Sequence, residues 1–169
     1  MTNREYIDYF KNLAVQHKKL KHTNAAIAFI DDPKEIPTPT LARTTLILFP
    51  QILSVKDEKS DNVFKYKTGE FWILKPCKKD NKNEQQDAID ECEQIGWDIL
   101  QRLYEEAGKA QNQRPVMDFD LNTINGFPLG EQFNSCYGFA YTFTTGSPDY
   151  MDTDDPGAPA IENIWLDTP

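Results

Sequence analysis

Between residues 85 and 104 the apolar positions fall on one helical stripe. Ala88, Ile89, Cys92, Ile95, Gly96, Ile99, Leu100, Leu103 and Tyr104 recur every three or four residues, which predicts one long amphipathic helix. An apolar run, Phe71-Trp72-Ile73-Leu74, and a charged turn, Lys78-Lys79-Asp80-Asn81-Lys82-Asn83, lead into it, so residues 69–109 form the unit against which the rest is expected to pack. Asp80, Asn81 or Asn83 can cap the helix, and Gly108 is placed to end it. Gly96 lies on the apolar stripe, where glycine costs roughly 1 kcal/mol relative to alanine; close approach of a strand or of another helix is the expected compensation. The opposite face (Asp87, Asp90, Glu91, Asp98, Arg102, Glu105) reads as solvated.

A first helix is predicted over residues 3–21. Thr2 and Glu5 have capping-box spacing, and Ile7, Phe10, Leu13, Ala14, His17 and Leu20 form the stripe. Lys18, Lys19, Lys21 and His22 suit the negative pole of its dipole. Residues 24–30 read as a strand stopped at Asp31-Asp32-Pro33. Residues 33–40 hold Pro33, Pro37 and Pro39, which predicts an extended surface arm, either a plain connector or a segment that docks on a partner. Residues 44–55 have strand composition with Pro50 inside, implying an edge strand, a bulge or two shorter strands.

After a charged loop over 56–62, residues 63–67 and 70–74 read as antiparallel strands turned at Thr68-Gly69. Residues 116–121 alternate, as do residues 136–144, where Tyr137, Phe139, Tyr141 and Phe143 share one face and small residues the other. The helices are expected on the small-residue face. The aromatic face is then left for a second layer or a neighbouring subunit. Beyond Gly146 the chain is polar and turn-rich, with one late apolar patch over 161–166.

Strands grouped as hairpins point to an α+β fold: a mostly antiparallel sheet of about four or five strands, two helices packed on one face, long loops and an extended C-terminal tail. Residues 1–146 are expected as a single domain and 147–169 as an acidic, turn-rich tail.

Charge narrows the function. With 27 acidic and 18 basic side chains the net charge is −9, which opposes tight binding to a nucleic-acid backbone. Cys77, Cys92 and Cys136 lack C-x-x-C spacing, and reduced, buried thiols are expected. No signal-type apolar region or membrane-length run is seen, so a soluble, unexported chain is expected. Residues 152–157 alternate oxygen ligands before Gly157, but Pro156 and Asn163 stand where a helix-loop-helix calcium site needs ligands. His17 and His22 have no nucleophile beside them, and no nucleophile elbow, phosphate loop or zinc-helix motif occurs. No catalytic, cofactor or metal residues are therefore expected, and no enzyme activity.

The succession Gly69-Glu70-Phe71-Trp72-Ile73-Leu74, the polar turn, the helix from Asp87 through Gly96-Trp97 to Leu103, and Phe133-Asn134-Ser135-Cys136-Tyr137-Gly138-Phe139-Ala140-Tyr141-Thr142-Phe143 resembles small neck and tail-completion proteins of tailed bacteriophages and prophages. It is most similar to the tail terminator type. The likeness spans residues 44–144 and leaves the proline arm and the acidic tail outside it.

The resemblance implies a structural virion protein assembled in the bacterial cytoplasm and placed in the head–tail neck. Its subunits would form a homo-oligomeric ring, expected to be a hexamer, that stops tail-tube growth and joins the tube to the head-side connector. DNA would pass through without being held, and no membrane is involved. The candidate interfaces are Ile36, Pro37 and Pro39 of the arm, the Tyr137/Phe139/Tyr141/Phe143 face, and Trp165 of the tail. Two other classes remain open: a monomeric acidic protein that binds or inhibits a host protein, for instance by mimicking DNA, and an enzyme with an acidic pocket.

Overall fold

A computed structural model describes residues 2–20, 42–57, 63–107, 119–133 and 135–149. They form an α+β unit. The chain runs through α1 (Asn3–Gln16), β1 (Thr45–Leu48), β2 (Ile52–Asp57), β3 (Val63–Pro76), α2 (Lys82–Ala107), β4 (Phe119–Gln132) and β5 (Cys136–Asp149). All strand pairs are antiparallel, in the order β1-β3-β5-β4, with β2 also on β3. Both helices pack on the same sheet face.

Of the three outcomes expected for residues 44–55, Pro50 produces two short strands, and these share one neighbour. β1 pairs with the C-terminal half of β3 and β2 with its N-terminal half. The expected hairpin at Thr68-Gly69 does not form, because β3 continues straight through Gly69. A side chain at 69 would stand 2.7 Å from the Phe143 ring and 2.8 Å from the Tyr6 hydroxyl, so this glycine makes room rather than a turn. Hairpins instead join β2 to β3, with Asp57 opposite Val63, and β4 to β5, with Phe133 and Ser135 at positive φ (44° and 82°) at the turn of the second. β5 extends to Asp149, so the domain boundary expected at 146 falls inside a strand.

The capping box of α1 is present. The Glu5 amide donates to Thr2 Oγ1 (3.2 Å) and the Thr2 amide to Glu5 Oε2 (2.6 Å). The helix ends earlier than its stripe suggests, because His17 turns to an extended backbone conformation. The Leu20 amide then donates to the His17 carbonyl, and Leu20 is carried into the core. No basic residue remains in the last turn of α1, and Lys19 pairs with Glu91 of α2 instead (3.0 Å). At α2 the cap is Asn81, whose Oδ1 accepts from the Glu84 amide (3.2 Å).

The core joins Tyr6, Phe10 and Leu13 of α1, Cys92, Ile95, Ile99 and Leu103 of α2, and the inward side chains of β1, β3 and β5. Phe10 stands 5.6 Å from Phe71 and 5.9 Å from Phe143, ring centre to ring centre. Tyr6 is fully buried, and its hydroxyl has no hydrogen-bond partner among the described residues. Burial, and secondarily the Glu70 charge, push this phenol well above its ordinary pKa, so it stays neutral. An unpartnered buried hydroxyl costs on the order of 1–3 kcal/mol. Tyr6→Phe is therefore expected to leave stability unchanged or raise it by about 1 kcal/mol in urea unfolding; a clear loss would mean that the hydroxyl is bonded after all.

Candidate functional site

The expectation that aromatic residues of β5 form an open face is overturned. Phe139, Tyr141 and Phe143 lie beneath the two helices, buried within one subunit. Tyr141 stacks on Phe71 (5.4 Å) and sits beside Phe139 (5.0 Å), while its hydroxyl donates to the Glu93 carbonyl of α2 (2.8 Å). Burial raises its phenol above the ordinary range. Tyr137, on the same face at the strand's start, is part-buried. The physical reason is volume. Helices stand far enough off a sheet that large side chains must fill the gap, and glycines at 69, 96 and 126 open space for the rings. Gly96 is the close approach expected from its place on the stripe, with the Tyr141 ring lying against the helix there.

The small residues instead floor the second sheet face. Ile47, Leu74, Leu129, Cys136 and Ala140 are buried there, with Phe49, Trp72 and Phe133 packed around them. Trp72 Nε1 donates to Glu70 Oε1 (2.6 Å), which fixes the indole on that face. The other expected interface residues, Ile36, Pro37, Pro39 and Trp165, lie outside the described residues.

Large apolar side chains are exposed at both lateral borders of the sheet. Ile52 and Leu53 lie on β2, and Leu121 and Phe127 on β4. Among the described residues neither β4 nor β1 and β2 has a strand on its outer side. β4 is irregular, with register breaks between Asp120 and Asn125 and between Leu129 and Gln132. Thr123 fills the first break, its hydroxyl accepting from the Thr144 amide (2.9 Å). Bulges and Pro128 blunt this edge against indiscriminate strand pairing.

Much of the outer surface of α2 is committed to holding α1 and β3. Glu91 accepts from Lys75 of β3 (2.5 Å) and pairs with Lys19, His17 meets Asp98 (3.2 Å), and Glu106, nearly buried, takes Tyr9 Oη (2.8 Å) and Arg102 Nε (2.6 Å). Burial and then the Glu106 contact hold the Tyr9 phenol above its usual range. So Glu91, Asp98 and Arg102, expected to be merely solvated, brace the helix pair. Left open are Asp87, Asp90, Glu93, Trp97, Tyr104 and Glu105, with Trp97 and Tyr104 each about half exposed (53% and 52%). Tyr104, placed on the apolar stripe by its spacing, in fact lies at the border of that stripe.

The Lys75 and Lys19 contacts hold the Glu91 carboxyl below its ordinary 4.5. A depressed carboxyl stabilises the fold above the unfolded value, and that contribution is lost as pH falls below 4.5 through the folded value. Glu91→Gln is thus expected to lower the denaturation midpoint at pH 7 and to match the parent in acid, where both side chains are neutral. Equal losses at both pH values would assign Glu91 a packing role only.

All three cysteines are free and buried, and burial pushes the Cys92 thiol up to about 12. Such a thiol is unreactive. Among the described residues no cluster of three or more His, Cys, Asp or Glu is placed to hold a metal, and no helix is long and apolar enough to cross a membrane. No protein-family model, curated protein or solved structure matches the chain.

Proposed function

We propose that this chain is a structural virion protein of a tailed phage, whose subunits form a six-membered ring that ends the tail tube and joins it to the head-side connector. The observation that carries the reading is the pair of lateral borders of one sheet. Each lacks an outer strand among the described residues, and each exposes large apolar side chains, Ile52 and Leu53 on one border and Leu121 and Phe127 on the other. Two different borders on opposite sides of a subunit suit head-to-tail contacts, which close into a ring when the rotation per subunit allows it. The net charge of −9 agrees with a ring that lets DNA through without gripping phosphates.

The test is to add purified protein to isolated tail tubes and image them in negative stain. Added density at one tube end, and an arrest of tube lengthening, are the expected results. Tubes that stay uncapped and keep growing overturn the reading.

One observation favours a second reading, a monomeric acidic protein that engages a basic host protein. Asp87, Asp90, Glu93 and Glu105 are exposed along α2. Recovery of one stoichiometric basic partner from host lysate, together with no effect on tubes, would select it.

A further inference from the structure

The helical layer has two dissimilar flanks, and their chemistries match. Tyr9, His17 and Lys19 tie α1 to the side of α2 that carries Glu91, Asp98, Arg102 and Glu106. At 100° per residue, Trp97 and Tyr104 project from the far side of α2, across the core stripe from α1. Asp90 is seven residues before Trp97, and Tyr104 seven after, so the three form one row, with Glu93 beside it. All four side chains are exposed. Asp90 meets only Gln86 of its own helix (2.7 Å), and Glu93 forms no ion pair among the described residues.

On α1, the side turned away from α2 carries Arg4 and Lys11, also seven apart, with Val15 (61% exposed) beside them and Lys18 following in the turn after the helix. None of Arg4, Lys11 and Lys18 pairs with a carboxylate of the described residues. Glu5 and the α2-contacting Tyr9 lie off this row. Asp8, exposed and one turn from both Arg4 and Lys11, is the one carboxylate on this side, so this flank is a net basic row, three cations to one anion, around an aliphatic side chain. The other is an acidic and aromatic row of the same two-turn spacing, roughly 10 Å per step.

We propose that these flanks are the two halves of one contact between copies of this chain: the Arg4/Lys11/Val15/Lys18 row of one copy docks on the Asp90/Glu93/Trp97/Tyr104 row of the next. The occupant is a second copy because one row is net basic and without aromatic rings while the other is acidic and aromatic. The cations meet carboxylates, and they meet the faces of two half-exposed aromatic rings, which attract cations through their quadrupole. Trp, Tyr and Arg are also the residue types that most often anchor interfaces. Since the rows lie on opposite flanks of the subunit, the contact is heterologous and leaves one free row at each end of any open chain of subunits. The inference rests on the ring reading for its biological setting, but the contact is testable without tail tubes.

The experiment compares the full chain, Lys11→Glu, Trp97→Ala and a one-to-one mixture of the two variants, by sedimentation velocity over a concentration series at low and high salt. Both positions are exposed, so the variants should unfold like the parent, which circular dichroism checks. The parent is expected to form higher oligomers that weaken at least about tenfold in affinity between low and high salt. Each variant alone should be monomeric where the parent associates. The mixture should stop at one-to-one dimers, because each pair retains one intact contact, formed by the α1 row of Trp97→Ala and the α2 row of Lys11→Glu. A charge exchange, Lys11→Glu with Glu93→Lys in one chain, should restore part of the association.

A parent chain that stays monomeric up to about 1 mM overturns the contact. So do oligomers that both variants leave intact. If the oligomers ignore the variants but tubes are still capped, the contact fails and the ring reading stands; if the head-to-tail pattern is found and tubes are not capped, the reverse holds.

Discussion

Gly138→Ala is expected to leave little folded protein. An added Cβ would stand 1.9 Å from the carbonyl oxygen of Ile73, 2.9 Å from its carbonyl carbon and 3.0 Å from Leu74 Cα. The obstacle is main chain and not the end of a side chain. That main chain belongs to β3, held by β1 and β2 on one side and by β5 on the other, so it cannot retreat without breaking pairing at the centre of the sheet. Overpacking a core costs about 1–3 kcal/mol when side chains can shift, and more when they cannot. Here the loss should exceed about 4 kcal/mol, a large part of a stability of about 5–15 kcal/mol. The measurement is the thermal midpoint, or the soluble yield if no transition is seen. Gly130→Ala is the control, since nothing among the described residues lies within 4 Å of its added Cβ, and it should behave as the parent. A Gly138→Ala protein as stable as that control would refute the geometry.

Gly96→Ala sets two effects against each other. Alanine gains roughly 1 kcal/mol of helix propensity over glycine. Its methyl, however, would stand 2.0 Å from Tyr141 Cε2 and 2.6 Å from Cδ2. The ring is held by Phe71 and Phe139 and by its hydroxyl bond to the Glu93 carbonyl, so it can yield only by giving those up. Packing should win, with a net loss of about 2–3 kcal/mol and a midpoint lower by about 5–10 °C. Tyr141→Ala alone should cost about 3–5 kcal/mol, like other large aromatic truncations. The double variant should be more stable than the sum of the two losses by at least about 1 kcal/mol, because the new methyl enters space that the ring has vacated. Strict additivity would mean that Gly96 and Tyr141 do not share that space.

Gly96 also shows where reading the chain succeeded. Gly96 on an apolar stripe announced a close approach, because a residue that weakens a helix is retained there for space. The capping box at Thr2 and Glu5 and the break at Pro50 were legible for similar reasons, since each depends on local backbone chemistry. The α+β class followed from the grouping of strands. By contrast, the alternation in β5 shows that its two faces differ but not which one meets the helices. The deciding quantity is the space between two layers, a tertiary property, and only the glycines at 69, 96 and 126 taken together signal it. Gly69 was misleading because glycine between two short apolar runs has the form of a hairpin turn. Most of β4 was missed because Asn122, Asn125, Gly126, Pro128 and Gly130 give it the composition of a loop. Such a strand persists because β5 pairs with it on one side and its bulges absorb the irregular residues.

The candidate site was less legible. Tyr141 and Phe143 drew notice for their aromatic character and belong to the core, whereas Trp97 drew none because it follows Gly96 on the border of a long stripe. A residue's exposure there depends on where the second helix lies. That is fixed by Tyr9, His17 and Lys19, whose partners on α2 are 72–97 positions away in the chain.

The length of the central strand pair has a mechanical consequence. β3 and β5 are matched from Val63 with Asp149 to Pro76 with Cys136, fourteen residues each, without a register break. Ladder bonds between antiparallel strands lie across the strand direction. Tension applied along that direction would strain the whole ladder together, in shear, whereas tension applied across it would open the bonds one after another like a zip. The subunit is therefore anisotropic under force, stiff along β3 and β5 and weak across them.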